Sequence, residues 1–422
     1  MRLLLITASS PTIRQIRRQR FLNFQQITMP YLASYVPSHW QVTHVDEEAE
    51  KINFESAFDL VGVTFHTPSA KHAYDIAHRF RDKGIPVVMG GPHVTLVPDE
   101  AQNHADAIFI GQAEETWPRF LNEFELGKHQ KVYVGNEQQF LSNIPMARKD
   151  LFHRHDYTGG VLFATRGCPN KCEFCSLTVM YGNGLRCRPI SEVALEYASF
   201  KGKIIIFWDD NLSADLEYAK ELFKAISPYQ KWWSSQASVN CGHDDEFLSL
   251  AAKSGCKQLF LGLESVSQES LNRSGKKDNR VSEYRSIIQN IHSYGIAVQA
   301  GIVFGFDHDT VKVFRDTLDF LEDTGVQNAT FNILTPYPGT PLFKRLLTEG
   351  RILSYDWDKY NARQDVVFSP RNMSPEELLA GFRMANDRFY SVRSMARRLS
   401  RSPVGLFWTL PLNLAYTVST FR

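Results

Sequence analysis

Gly160-Val161-Leu162-Phe163-Ala164-Thr165-Arg166-Gly167-Cys168-Pro169-Asn170-Lys171-Cys172-Glu173-Phe174-Cys175 joins an apolar, β-branched run to a loop that carries three cysteines. The run reads as a buried strand over Gly160 to Thr165, and the loop then falls at its carboxyl end. Three thiolates spaced four and three residues apart on one loop can converge on three irons of a cubane, leaving the fourth iron without a protein ligand. A zinc site of four cysteines, completed by Cys187 twelve residues on, is the competing metal reading, and accidental clustering of structural thiols is the bland one.

Outward from this loop the chain alternates strands and helices. Downstream, strands are expected at Ile204 to Trp208, Trp233 to Val239, Gln258 to Leu263, Ala297 to Phe304 and Asn328 to Leu334. Helices fall between them at Ile190 to Phe200, Ala214 to Ala225, Asp245 to Ser254, Arg280 to Tyr294 and Val311 to Thr324. Six such units are too few for an eightfold barrel and fit a partial (β/α)6 one, with functional groups at the strand carboxyl ends.

Upstream, strands are expected at Leu3 to Thr7, Gln41 to Asp46, Leu60 to Phe65, Pro86 to Met89 and Ala107 to Ile110. The intervening helices are placed at Met29 to Val36, Ser69 to Lys83, Asp99 to His104 and Glu114 to Phe124. Continuously apolar strands alternating with helices predict a parallel sheet covered on both faces, a Rossmann-like domain whose ligands bind at the carboxyl ends. The α/β chain therefore divides into a Rossmann-like domain over 1–130, a linker over 131–157, a partial TIM-type barrel over 158–342 and a helical extension over 343–422. In that extension Ser374-Pro375-Glu376-Glu377 starts a helix.

With 422 residues, 47 basic and 46 acidic, the chain has no polyanion-seeking charge, so nucleic acid is not the expected partner. The short run Leu3-Leu4-Leu5-Ile6 is followed by Ser9-Ser10-Pro11 and lacks the length of a signal peptide, so a cytoplasmic setting is expected, with metal roles for cysteines ahead of disulfides.

Cys-x3-Cys-x2-Cys with an aromatic residue, Phe174, before the last cysteine resembles the signature of the radical S-adenosylmethionine (SAM) superfamily. The resemblance implies a 4Fe-4S cluster on Cys168, Cys172 and Cys175. Its open iron binds the amino and carboxylate groups of SAM, and reductive cleavage gives methionine and a 5'-deoxyadenosyl radical. It also implies SAM contacts at other strand ends. Asp209 and Asp210 in Phe207-Trp208-Asp209-Asp210-Asn211 suit the SAM ammonium, unless they only cap the next helix. Glu264 in Gly262-Leu263-Glu264-Ser265 suits the ribose, or a surface ion pair. Gly301 and Phe304 resemble an adenine-flanking strand or a plain core strand, Pro336 a rigid turn near the nucleoside, and Ser238 a further strand-end contact.

A Rossmann-like domain ahead of such a barrel resembles the cobalamin-binding domain of the B12-dependent radical SAM enzymes. The residues that would hold the corrin are Thr64, His66 and Ser69 at one strand end, Gly90, Gly91 and His93 at the next, and Gly111 and Glu114 at a third. Glycines let backbone approach a bulky nucleotide tail, and residues 111–114 open a helix. Relatives with a lower axial histidine carry it after the first strand. Here Ser9-Ser10-Pro11-Thr12-Ile13-Arg14-Gln15-Ile16-Arg17-Arg18-Gln19-Arg20 has none, which implies base-off, His-off cobalamin, with the arginines facing corrin amides, phosphate or solvent.

The resemblance implies methylation of an unactivated carbon. An oxidative cyclisation or rearrangement, as in the anaerobic magnesium-protoporphyrin ester cyclase-like subfamily, is the alternative, and a cobalamin or redox sensor the third. The implied partners are an electron donor such as flavodoxin or ferredoxin and a small hydrophobic substrate, a lipid, isoprenoid or tetrapyrrole. After Arg393, Arg397, Arg398 and Arg401 comes an apolar run, Pro403 to Tyr416, broken by Pro411 and Asn413. It is shorter than the about 20 residues of a spanning helix, and is expected to dock on the barrel or to touch a membrane peripherally. Cys187, Cys241 and Cys256 are expected as packing residues.

Overall fold

The structure is a computed structural model, described for residues 1–16, 25–136, 140–151 and 159–420. Two six-stranded parallel sheets dominate it. The first contains β1 (Arg2–Thr7), β2 (Gln41–Asp46), β3 (Leu60–Thr64), β4 (Val87–Gly90), β5 (Ala107–Ile110) and β6 (Val132–Val134), in the order β2-β1-β3-β4-β5-β6. β1 and β3 are buried along nearly their whole length, because helices such as Ala70–Arg81 and Thr116–Glu125 cover the sheet. The winding reverses between β1 and β3, where open α/β sheets bind ligands.

The second sheet contains β7 (Gly160–Leu162), β10 (Ile204–Phe207), β11 (Trp232–Ala237), β12 (Cys256–Glu264), β13 (Ala297–Phe304) and β14 (Asn328–Ile333), joined in simple sequence order. β7 and β14 do not pair with each other, so this is an open half-barrel. A small antiparallel ribbon, β8 (Thr165–Arg166) and β9 (Arg186–Cys187), follows β7 and frames the cysteine loop. One core, including Leu259, Leu261, Ile302, Phe304 and Phe331, fills the space between the barrel strands and their helices.

The first strand of the quoted stretch stops at Leu162 rather than Thr165, because Asp209 captures the backbone N–H groups of Ala164 and Thr165. β6 falls inside the stretch expected to be a linker; three residues are too few to show a period. Further on, Leu141, Ile144 and Ala147 pack with Tyr31 and Phe163 in a small core of their own. The helix expected over Asp99 to His104 is shorter, Pro98–Ala101, and a second short helix, Pro92–Leu96, precedes it; each prolyl start marks one. Ser374 and Glu377 form a reciprocal capping box for the helix Pro375–Phe389.

The terminal run forms one helix, Leu406–Thr420, with Pro411 inside it. Asn413 does not break it: the Asn413 side chain donates to Gln327 O, Asn328 Oδ1 and Thr409 O. Among the described residues no helix is long and apolar enough to cross a membrane.

Candidate active site

The carboxyl ends of the two sheets face one cavity of about 390 Å³, within the roughly 300–1,000 Å³ usual for small-molecule sites. From the first sheet it is lined by Thr64, His66, Gly90, Gly91, Gly111 and Glu114. From the barrel side come Thr165, Arg166, Trp208 and Asp210, with Leu177 and Tyr181 of the short helix Leu177–Tyr181. Gly91 sits at φ +98°, and a Cβ there would lie 2.3 Å from Thr64 Oγ1. Gly91→Ala is therefore expected to displace Thr64 and lower bound cobalt after reconstitution severalfold, with iron content unchanged, as read by metal analysis of the purified protein.

Two residues assigned to this pocket lie behind it. Ser69 is buried and accepts the Ser10 N–H at 3.0 Å, so it shapes the loop after β1 instead. His93 is fully buried between Thr67, 3.2 Å from its Nδ1, Glu100, 3.5 Å from its Nε2, and the Trp357 ring. Neither lines the cavity. Among the described residues His66 is the one histidine that does. Arg17, Arg18, Gln19 and Arg20 lie outside the described residues.

The cysteine loop is clamped on both flanks. Gly167 enters it at φ +86°, and a Cβ there would meet Gly184 O at 2.5 Å. The Gly167 N–H donates to Asp210 Oδ2 at 2.8 Å. Cys175 N–H closes a turn onto Cys172 O, Glu173 N–H donates to Ser274 O, and Glu173 O accepts from Leu342 N–H. The Glu173 carboxylate takes two bonds from Arg345, at 2.8 and 3.1 Å, while the same guanidinium holds Asp307 at 2.7 Å. All three thiols are free. Burial pushes the Cys172 thiol up to about 11 and the Cys175 thiol up to about 12, so iron binding here is coupled to proton release.

The donor set fits a cluster better than a single ion. Among the described residues no three His, Cys, Asp or Glu side chains converge on one metal position, and Cys187 is placed on β9 opposite Thr165. A cubane asks for one thiolate at each of three irons, which a single loop supplies. The cobalamin pocket passes its own test: Glu114 Oε2 is buried without a hydrogen-bond partner on the cavity wall, an acceptor for a corrin amide, and Gly91 leaves room for a bulky group.

Around the loop the barrel strand ends bring together Asp210, Ser238 and Glu264. Asn211 connects two of the parts: its Nδ2 is 2.7 Å from Ser238 Oγ and 3.6 Å from Cys168 Sγ. Glu264 stands at φ +63°, beside a register shift between Gly262 and Glu264, and pairs with Lys276 at 3.0 Å. A non-glycine residue held in this region costs about 1–3 kcal/mol and marks an over-determined position. Burial acts against the Lys276 charge, but Glu264 and Cys172 hold its pKa above the ordinary value.

Two other assigned SAM contacts, Asp209 and Phe304, are turned elsewhere. Asp209 accepts hydrogen bonds from Ala164 N–H, Thr165 N–H and Thr165 Oγ1, so it shapes the β7–β8 corner rather than facing SAM; burial lifts its carboxyl to about 7 against these donors. Phe304 points into the helix layer, 4.9 Å from Phe314 and 5.7 Å from Phe331. Gly301 faces the barrel interior, where a Cβ would strike the Phe260 ring at 2.8 Å. Phe174 packs edge-on against Phe306, and Pro336 is buried in the loop after β14.

Asn211, Lys276 and Arg166 were not singled out by sequence. Arg166 links the two halves of the cavity, donating to Glu114 Oε1 at 2.5 Å and Gln112 Oε1 at 2.9 Å. Its place directly before Gly167-Cys168 was the available signal; Lys276 had none.

Three models of known families match segments of the chain. A B12 binding domain matches residues 22–121, the radical SAM superfamily matches residues 162–321, and a domain of unknown function (DUF4070) matches residues 340–404. Fold and cleft thus define a radical SAM enzyme that also carries cobalamin, and its cofactors are a 4Fe-4S cluster, SAM and cobalamin. The bacteriochlorophyllide d C-12(1)-methyltransferase of Chlorobaculum tepidum is 30% identical over 89% of this chain and 85% of its own length. The C-8(2)-methyltransferase of the same organism is 29% identical over 81% and 80%. In fold, the cobalamin-dependent SAM radical enzyme OxsB superposes with a TM-score of 0.71 over 99% of this chain and 72% of its own, at 11% identity. The chain belongs to the B12-dependent radical SAM enzyme family.

Proposed function

We propose that this enzyme transfers a methyl group to an unactivated carbon of a small, apolar, tetrapyrrole-like substrate. The observation that carries the reading is the single cavity reached from Gly91 and Glu114 on one wall and from Arg166 and Asp210 beside the cysteine loop on the other. When bound, cluster and SAM supply a radical that removes a substrate hydrogen, and cobalamin supplies the methyl group. The chain's own residues do the positioning. Cys168, Cys172 and Cys175 would hold the cluster, Asp210, Ser238 and Glu264 the SAM, and Thr64, Gly91, Gly111 and Glu114 the corrin.

The names of the Chlorobaculum relatives support both the reaction and the substrate class. A flavodoxin or ferredoxin is the proposed electron donor. The test is anaerobic turnover of the reconstituted enzyme with SAM labelled in its methyl group and a chlorophyllide or bacteriochlorophyllide. The expected result is label in the tetrapyrrole, with both S-adenosylhomocysteine and 5'-deoxyadenosine formed. An unlabelled, oxidised or cyclised product would overturn it.

A further inference from the structure

Residues 353–367 of the helical extension leave the barrel and return to it. The neck of this excursion is closed by Leu353 N–H, which donates to Val367 O at 2.8 Å, and by a bridge between Ile352 and Phe368. It is also tied to the end of β14, where Ile333 N–H donates to Ala362 O at 2.7 Å. Within it Tyr360 is fully buried, donates to Ser354 O at 2.7 Å and packs 5.0 Å from the ring of Trp357. Trp357 thus stands on a braced loop.

That loop reaches the first sheet. Its turn Trp357–Lys359 lies against Thr67–Ser69 and the helix Ala70–Arg81, where Asp356 pairs with Lys71 at 2.6 Å. Trp357 packs on the core under that helix, and its Nε1 donates to both carboxylate oxygens of Glu100, at 3.0 and 2.9 Å. Glu100 Oε1 lies 3.5 Å from His93 Nε2, and the Trp357 ring stands edge-on 5.5 Å from the imidazole. Contact with His93, and then the bond from Trp357, hold the Glu100 carboxyl down at about 2 against the push of burial. Glu100 therefore faces both rings as an anion.

His93 passes this hold on to the cavity. Its Nδ1 is 3.2 Å from Thr67 Oγ1 and its N–H donates to Phe65 O at 3.3 Å, so one residue beyond β4 fixes the loop after β3. Phe65 lines the cavity, as do Thr64 and His66 beside it and Gly91 from the other loop. The room that Gly91 leaves depends on the spacing of these two loops, since a Cβ there would sit 2.3 Å from Thr64 Oγ1 and 3.3 Å from Phe65 O. Neither His93 nor Trp357 lines the cavity, so their influence on a ligand runs through the loops.

We infer that Trp357 is a positioning residue for the corrin: through Glu100 and His93 it sets the distance between the strand ends that carry Thr64 and Gly91. The excursion 353–367 is then a strut, and the extension takes part in cofactor binding from outside the cofactor site. The inference rests on the corrin being seated against Thr64 and Gly91, and is independent of substrate and reaction.

The test uses the full-length chain carrying its 4Fe-4S cluster, dialysed to equilibrium against hydroxocobalamin, with bound cobalt measured. Trp357→Ala is expected to raise the Kd about tenfold, the effect of losing one hydrogen bond to a charged group. Trp357→Phe, which keeps a ring but not the N–H, should recover part of that loss. Made in Glu100→Ala protein, the same Trp357→Phe change should add less than about twofold, because its acceptor is already gone. Lys71→Ala, which cuts the neighbouring ion pair to Asp356 and leaves Glu100 and His93 in place, should keep the wild-type Kd. Iron content should be unchanged in all, and at saturating cobalamin the visible circular dichroism of the bound corrin should shift in Trp357→Ala alone of the Trp357 and Lys71 single variants by more than Trp357→Phe does. A wild-type Kd or an unshifted corrin spectrum in Trp357→Ala overturns the strut. So does a loss in Lys71→Ala equal to that in Trp357→Ala, which would reduce the contact to docking of the extension, and so do fully additive losses in the double variant. Gly91→Ala, measured alongside, separates the two readings: weakened binding there with wild-type binding by Trp357→Ala overturns the strut and keeps the corrin site, while wild-type binding by both overturns both.

Discussion

Cys172→Ala protein, reconstituted anaerobically with iron and sulfide, is expected to show no cluster absorption and to form 5'-deoxyadenosine only at background. Cys172 is the most buried of the three loop thiols, and the turn Cys172–Cys175 is closed by a backbone hydrogen bond. The rest of the clamp survives, because Arg345 holds Glu173 and Asp210 holds Gly167 without help from the thiol. Cobalt uptake should therefore remain. A variant that kept its iron and cleaved SAM would remove Cys172 from the proposed ligand set, and one that lost cobalt as well would show that the loop organises the whole cleft.

Glu196→Ala should lose about 3–5 kcal/mol of stability, read as a lower urea midpoint. Glu196 is 0% exposed and Arg188 1%. Glu196 binds Arg188 at 2.7 Å, Tyr31 Oη at 2.7 Å and Ala147 N–H at 3.2 Å, while Arg188 also donates to Phe163 O. Removing the carboxylate leaves a buried guanidinium, a tyrosyl hydroxyl and a backbone donor short of an acceptor. Glu196→Gln, which keeps an oxygen in the same place, should lose less. Equal midpoints for wild type and Glu196→Ala would mean that water replaces the carboxylate.

The half-barrel was legible in the sequence because parallel strands buried on both faces read as unbroken apolar runs, and the cysteine loop because its chemistry depends on local spacing. Strand-end positions were legible too: Thr64 and Glu264 end β3 and β12, and Gly91 and Asp210 fall just beyond β4 and β10. Side-chain direction was not. Asp209 and Asp210 are adjacent in sequence, yet a bend sends one to the backbone of Ala164 and Thr165 and the other to Gly167. His93 and Gly91 share one turn, but the helix that starts at Pro92 rotates the imidazole behind the pocket. Lys276 reaches Glu264, whose backbone is left-handed, from a loop twelve residues later in the chain. The C-terminal helix concealed its docking face because Asn413, a helix breaker by composition, is spent on tertiary bonds.

The Arg188–Glu196 pair has a mechanical consequence. Arg188 directly follows β9, which pairs with Thr165 three residues before the first loop cysteine, and Glu196 grips Tyr31 on the opposite sheet's side of the cleft. Any swing of the first sheet away from the barrel would have to break the Tyr31–Glu196 hydrogen bond and let water onto a charge pair that is otherwise dry. Opening the cleft on this side therefore carries a hydration cost that is set by two buried charges of the barrel half, not by the contacts of the first sheet alone.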